Sequence, residues 1–555
     1  MARPLAFIAT TNPRAIHDHL NSRSLIGMNF PKKPCLLCGA GENGSPKYAI
    51  NHIYGVKGMT QSPWTVSGVL AGLLLLGGCG GEGNDKPRMQ PTLNERVATL
   101  AQQQGISGDP STGRSIPDIA SPKAQLGMQL FFSKGLGGDL DSACVSCHHP
   151  MLGGGDDLSL SIGVEAVQPD LLGPGRLHLN TGHHYDGGPT VPRNAPSTFN
   201  IVFYDDVLFH DGRVESLDKT PGLNGAGGGI RTPDSPFGVA DPDAGANLSV
   251  AQARFPVTSP EEMRGFVFEA GNSNADLRSH LEQRLRGTDA ALTLVTNNWL
   301  DEFREGFEQP TANADTLITY SNIAEALAAY QNSQVLISTP WKAYLEGDRL
   351  AISDRAKRGA LLFYKSVEKG GAGCAGCHSG DFLTDEQFHV VAMPQVGRGK
   401  GDGPDGSEDF GRFRETGDAD DKYAFRTPHL INVTETGPWG HAGGYTSLEA
   451  VIRHHLNPQQ AIDNFDFSQL DPAVQVSNMT ANTQKALDQL ASLRLAGKSQ
   501  LPDTVLSDEQ VDQLLAFLGT LTDPCLKDRN CMAKWIPDNT IADPDGLRLQ
   551  AQSSL

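Results

Sequence analysis

Two short segments hold the residues whose types and spacing could do chemistry: Cys144-Val145-Ser146-Cys147-His148 and Cys374-Ala375-Gly376-Cys377-His378. Both read C-x-x-C-H, the attachment signature of c-type haem. Two thiols one helical turn apart can each form a thioether to the porphyrin edge, and the next residue puts an imidazole under the iron. A redox-active cysteine pair or a zinc site would use the same residue types. The mature haem regions, however, contain no other C-x-x-C pair to complete a tetrahedral zinc site. The reading is one covalent haem c at each motif, attached through Cys144 and Cys147 and through Cys374 and Cys377. Such attachment implies an oxidising compartment outside the cytoplasm.

The elements that must position these motifs are mainly helical. Residues 122–134 have helical spacing just before the first motif, and residues 354–365 have it just before the second. The repeated order of helix, short loop and C-x-x-C-H predicts two haem domains, 116–335 and 336–535. Helical periodicity also covers 276–307, 314–345, 447–456, 482–495 and 508–521, while strand signals are few and short. Residues 221–255 are rich in Gly, Pro and Asp without periodicity and read as a long surface loop inserted in the first domain. Cys525 and Cys531 are spaced for a small structural disulfide, and 536–555 reads as a tail.

The apolar run Val69–Gly78, followed by Cys79, is too short to span a bilayer. It fits a signal-peptide core, and Leu76-Gly77-Gly78-Cys79 is similar to the lipobox of bacterial lipoproteins, in which Cys79 would carry the lipid. A start at Met59 makes 59–79 the signal peptide and 1–58 an artefactual extension, although no Lys or Arg then precedes the apolar run. Cys35 and Cys38 form an isolated C-x-x-C with no second pair at zinc spacing, and read as non-functional. Residues 80–115 read as a flexible linker. These segments predict a periplasmic protein, lipid-anchored if Cys79 is modified. The net charge of −19 argues against nucleic acid and favours a cationic partner.

Between about Leu126 and Leu521 the chain resembles the bacterial di-haem cytochrome c peroxidase/MauG superfamily. The resemblance rests on LGMQLFFSKGLGGDLDSACVSCHHP, VPRNAPSTFNIVFYDDVLFHDGRVESL, PVTSPEEM, CAGCHSGDFLTDEQF and the long segment ending GHAGGYTSLEAVIRHHLNP, in that order. It implies two mainly α c-type cytochrome domains, each with one haem, joined at an inter-domain calcium site. The N-terminal haem would handle peroxide, and the C-terminal haem would relay electrons or store oxidising equivalents. His148 and His378 would be the proximal ligands, and Asn194 with main-chain oxygens of Thr436 and Pro438 would hold calcium. Asn194 alone reads equally as a turn cap.

The resemblance also assigns Glu262 as the distal acid and Pro256 as a residue crowding the sixth position. Peroxide must lose a proton from the iron-bound oxygen, and the departing oxygen must gain one, which a carboxyl group can shuttle. By local sequence alone, Glu262 reads as an acid at a helix start after Ser259-Pro260.

Three positions depart from the family pattern. Val164 stands where family peroxidases place a distal His, which implies an open first haem unless His178, His183 or His184 substitutes. His455 stands where the second haem's sixth ligand is Met in peroxidases and Tyr in MauG; His454 is its rival, about 100° away around the helix. Met raises the potential of such an iron, so a bis-His haem has a lower one. His210 replaces the Trp between the haems, a better hole carrier, with Trp439 as a compensating aromatic or simple core packing. His441 reads as structural, near the inter-haem region.

The resulting expectation is a peroxidase that reduces hydrogen peroxide to water with electrons from a small cytochrome c or cupredoxin. The alternative is a MauG-like enzyme that uses a high-valent di-haem state to oxidise Trp or Tyr of a partner protein. A non-catalytic di-haem electron carrier and a dioxygen-using member stand further off.

Overall fold

The computed structural model describes residues 90–289 and 294–550. The signal segment, Cys35, Cys38 and Cys79 lie outside the described residues. Residues Lys86–Leu555 make up one compact unit.

Each haem motif is preceded by a helix that crosses a second helix from further along the chain. Pro122–Phe132 packs against Tyr320–Ser333, and Asp354–Tyr364 packs against Asp508–Gly519. The same residue makes both crossings close. A Cβ on Gly127 would lie 1.9 Å from Ala326 O, and one on Gly359 would lie 1.8 Å from Gln513 O. Only glycine lets these backbones touch. The equivalence of the two crossings is the structural form of the repeat read from the sequence.

Helix starts follow local capping chemistry. Pro122 and Pro340 occupy first-turn positions where no intrahelical N–H is needed. Ser353, Ser447 and Ser507 accept backbone N–H groups as N-caps. The periodic segment 276–307 divides into Asn274–Arg286 and Trp299–Gly306, the first ended by Gly287 in a left-handed conformation. The segment 314–345 divides into Ala314–Leu317, Tyr320–Ser333 and Pro340–Leu345. Strand is confined to a three-stranded antiparallel sheet, 207–208, 214–216 and 230–231, and a two-stranded one, 388–389 and 425–426.

Two large hydrophobic cores flank the haem motifs. The first contains Leu130, Phe131, Phe132, Val145, Trp299 and Tyr330; the second contains Trp341, Tyr344, Phe363 and Phe517. Both draw on residues from either side of the 335/336 boundary. Met532, Trp535 and Leu549 pack into the first core, while Val97, Ile201 and Phe203 pack into the second. Buried ions join the halves. Arg193 contacts Asp409 at 2.6 and 2.7 Å, and Arg412 contacts Glu215 at 2.6 Å. The Glu386 carboxylate accepts the N–H groups of Asp205 and Asp206, at 2.9 and 2.8 Å.

Three segments are more ordered than their composition suggests. Leu93–Gln104, inside the expected 80–115 linker, is a helix with a Thr92/Glu95 capping box, and its Val97 and Ala101 face the second core. The expected loop 221–255 supplies the strand Ile230–Arg231 and the helix Leu248–Gln252, whose Leu248 and Ala251 are fully buried. Elements of two and five residues are too short to leave a periodic signal. The described part of the 536–555 tail folds back. Asp545 accepts from Ser133 Oγ at 2.6 Å and Trp299 Nε1 at 3.0 Å, and Leu549 N–H donates to Phe132 O at 2.8 Å. Cys525 and Cys531 are disulfide-bonded, as their spacing suggests.

Candidate haem sites

The two C-x-x-C-H motifs fold alike. His148 N–H donates to Cys144 O at 3.0 Å, and His378 N–H to Cys374 O at 2.9 Å. Each tight turn brings its Cys pair and His onto one side. Each imidazole is then oriented by a carbonyl: His148 Nδ1 lies 3.1 Å from Gly154 O, and His378 Nδ1 lies 3.1 Å from Leu383 O. A carbonyl only accepts, so each Nδ1 carries the proton and each Nε2 keeps a lone pair. Burial pushes the His148 imidazole down, and burial with neighbouring His455 pushes His378 down to about 4. Neutral rings with fixed Nδ1–H are what a metal-ligating His requires.

Beside the first motif is a cavity with about 1250 Å³ of space free of protein atoms, its mouth included. Cys144, Cys147 and His148 lie on its wall together with Pro256, Glu262 and His210. Such a space, with both thiols and the imidazole on one wall, fits a haem. Gln252, Arg213 and Lys400 also line it. Gln252 Oε1 is buried without a partner. Nothing in sequence spacing marked these three.

Glu262 does not begin a regular helix. Pro260–Arg264 is a single wide turn in which Arg264 N–H reaches back to Ser259 O at 2.9 Å. Wide turns of this kind occur often at functional sites. Ser259 Oγ donates to Glu261 at 3.1 Å instead of capping. The turn is braced by the segment that includes Val164: Val164 N–H donates to Glu261 O at 3.2 Å, and Arg176 holds Ile162 O and Gly163 O at 2.7 and 2.8 Å. Burial raises the Glu262 carboxyl above its ordinary range, opposed by Arg213 and Lys400. A carboxyl raised by burial beside this cavity holds a proton more readily than an ordinary carboxylate, as a proton shuttle requires.

Val164 is fully buried and does not line the cavity. Nor do His178, His183 and His184. His178 Nδ1 is bonded to Leu179 O at 2.9 Å, and His183 pairs with Glu165 at 2.5 Å. None of these three histidines lines the first-motif cavity.

At the second site the rival histidines separate cleanly. His454 is fully buried and uses both ring nitrogens, accepting from Tyr445 Oη at 2.9 Å and donating to Val391 O at 2.8 Å. His455 uses only Nδ1, on Val451 O at 2.8 Å, which leaves Nε2 for a metal. Cys377, Asp385 and His389 place ligand atoms within 4.8 Å of one another, but the cysteine is one of the haem thiols, so this cluster belongs to the same site.

Between the halves, His210 Nε2–H donates to Asn194 O at 3.0 Å, and burial and Arg193 push its imidazole down to about 3. Asn194 N–H donates to His441 O at 2.9 Å, and its Nδ2 donates to Leu158 O and Ser159 O at 3.0 and 3.2 Å. Those two acceptors fix the amide so that Oδ1 faces away from them. The chain beside Thr436 and Pro438 presses on the first-haem loop, where a Cβ on Gly153 would lie 2.1 Å from Glu435 O. The His441 ring stacks on Phe425 at 3.8 Å, and Trp439 packs on the second core with Nε1–H on Val433 O at 2.9 Å.

A family model described as di-haem cytochrome c peroxidase matches residues 121–350. The chain is 28% identical over 367 residues to the methylamine utilization protein MauG of Methylorubrum extorquens, covering 64% of this chain and 77% of that protein. It is 28% identical over 356 residues to the cytochrome-c peroxidase IdrP1 of Denitromonas iodatirespirans, covering 60% and 72%. It is 26% identical over 345 residues to the cytochrome c551 peroxidase of Pseudomonas aeruginosa, covering 61% and 73%. With two C-x-x-C-H motifs, paired helix crossings and a cavity lined by the first motif already in place, residues 121–350 match the di-haem cytochrome c peroxidase family, and the chain is a di-haem oxidoreductase similar to MauG and the cytochrome c peroxidases.

Proposed function

We propose that the chain reduces hydrogen peroxide to water at the haem held by Cys144, Cys147 and His148, with electrons arriving through the haem held by Cys374, Cys377 and His378. The observation that carries this reading is Glu262: the one carboxylate on the wall of the first-haem cavity among the described residues is part-buried and raised. Cys144, Cys147 and His148 would hold the haem, which when bound would supply peroxide binding and redox chemistry. His148, fixed by Gly154 O, holds its Nε2 toward the cavity. Glu262 removes a proton from one peroxide oxygen and returns it to the other. Pro256 would limit the space within the cavity. His455, with Nδ1 committed to Val451 O, would offer Nε2 to the second haem, which would then serve as a carrier of electrons. Asn194 Oδ1, with the main-chain oxygens of Thr436 and Pro438, holds a calcium ion, since hard cations take oxygen ligands. His210, kept neutral, lines the gap between the haems. The electron donor is a small cytochrome c or cupredoxin, in the periplasm; a lipid on Cys79 would anchor the chain to the membrane.

Val164 in place of a distal His favours a second reading, a MauG-like enzyme acting on Trp or Tyr of a partner protein. Optical and EPR spectra of the oxidised protein, before and after one equivalent of peroxide, separate the two. A high-spin signal lost on peroxide addition, followed by rapid return with donor oxidation, supports the peroxidase. A long-lived oxidised state spread over both haems supports the MauG-like enzyme. Two low-spin haems indifferent to peroxide refute both.

A further inference from the structure

The first-haem cavity is cationic within a strongly anionic protein. Among the described residues Arg193, Arg213, Lys400 and Arg426 line it, against one carboxylate, Glu262, while the chain carries a net charge of −19. Arg193 is neutralised by Asp211 at 2.5 Å and Asp409 at 2.6 Å. Arg213 has a partial share of the same Asp211 at 3.2 Å and lies 3.5 Å over the Phe209 ring. Lys400 forms no ion pair with any described residue.

The backbone around Lys400 is pinned on both sides. Its N–H donates to Glu408 O at 2.9 Å, and its C=O accepts from Arg414 Nη1 at 3.2 Å. Asp402 and Glu408 close the loop by exchanging N–H···O bonds of 3.1 and 3.0 Å. This loop follows the second haem motif in sequence, yet it delivers its ammonium to the cavity of the first. Burial and the guanidinium groups of Arg193 and Arg213 push the Lys400 ammonium down, and the carboxylates of Glu262 and Asp211 only partly oppose them. A desolvated cation among cations is unfavourable unless an anion joins it.

We propose that Lys400 and Arg213 form a carboxylate-binding subsite in the first-haem cavity. The guanidinium fork matches a planar carboxylate, and the ammonium adds a point charge. The carboxylate has two sources, a propionate of the haem itself or a small carboxylate entering from solvent beside the peroxide site. The inference rests on haem attachment at Cys144 and Cys147, not on peroxide reduction.

The test uses the full haem-loaded chain, with Lys400→Met to remove the charge and Lys400→Arg to restore it. Formate is titrated into the oxidised protein and followed optically, and the haem propionate bending mode is read by resonance Raman. If the carboxylate comes from solvent, formate binding weakens at least about tenfold in Lys400→Met and recovers in Lys400→Arg, with the Raman mode unmoved. If a propionate occupies the subsite, the Raman mode shifts and the first-haem potential falls, with formate affinity unchanged. No change in either readout overturns the proposal. Should Lys400→Met fail to load haem, Lys400→Gln is read in the same way. Neither measurement needs turnover, so failure of the subsite and failure of the peroxidase reading remain distinct.

Discussion

Glu262→Gln keeps the shape of the side chain and removes its titratable proton. No neighbour can replace that proton. Glu262 is the only carboxylate lining the first-haem cavity among the described residues. His148 commits Nδ1 to Gly154 O and offers Nε2 to iron; His210 commits Nε2 to Asn194 O and is held down to about 3. The variant should therefore lose the whole general acid–base contribution, about 10²–10⁴ in rate, or about 3–5 kcal/mol of transition-state stabilisation. Because burial raises the Glu262 carboxyl, the wild-type rate should also show a limb above the ordinary carboxylate range, absent from the variant. The assay is steady-state peroxide reduction with a reduced small cytochrome c, across pH, on protein whose two haems are verified by pyridine haemochrome. Turnover within about threefold of wild type, with both haems attached, would remove Glu262 from the proton path.

Other outcomes follow from the same structure. His455→Ala should convert the second haem from low-spin to high-spin in EPR. His454→Ala should leave the spin state alone and cost about 1–3 kcal/mol in a urea melt, because Tyr445 Oη and Val391 O lose their partner; an unchanged low-spin signal in His455→Ala would exclude it as the ligand. Burial alone would raise Asp409, but Arg193 outweighs it and holds the carboxyl at about 2, against about 3.9 when unfolded. The resulting stability is fully present above about pH 4 and lost as pH falls toward 2. Asp409→Asn should cost about 3–5 kcal/mol at pH 7 and remove that part of the acid sensitivity; urea midpoints equal to wild type at both pH values would refute the clamp. Gly127→Val must push apart two helices in backbone contact, costing about 2 kcal/mol or more and lowering Tm, and an unchanged melt would mean that the crossing can relax.

Much of this architecture is local and therefore readable from the chain. The C-x-x-C-H motifs close within a single turn, so their thiols and imidazoles meet whatever the rest of the fold does. The long helices before them follow from apolar spacing and from Ser or Pro at their starts. Where periodicity ran across a break, as in 276–307, it gave too long an element, because Gly287 acts through backbone conformation and not hydropathy.

Tertiary structure decided what no spacing encodes. His454 and His455 are adjacent and chemically identical; only the carbonyl of Val391 and the hydroxyl of Tyr445, brought from other segments, commit one ring and leave the other free. Lys400 sits in an unremarked glycine-rich loop and acquires meaning only when the halves close and place it on the first-haem cavity. The helix at 93–104 and the folded-back tail were likewise hidden, since their few apolar residues count only against a distant core. Sequence by itself pointed to the cofactor and to the residues proposed to anchor it, because each C-x-x-C-H motif lies within five residues. Which further side chains line the first-motif cavity, and with what charge, was decided by contacts between segments hundreds of residues apart, whose cost in chain entropy only the assembled core can meet.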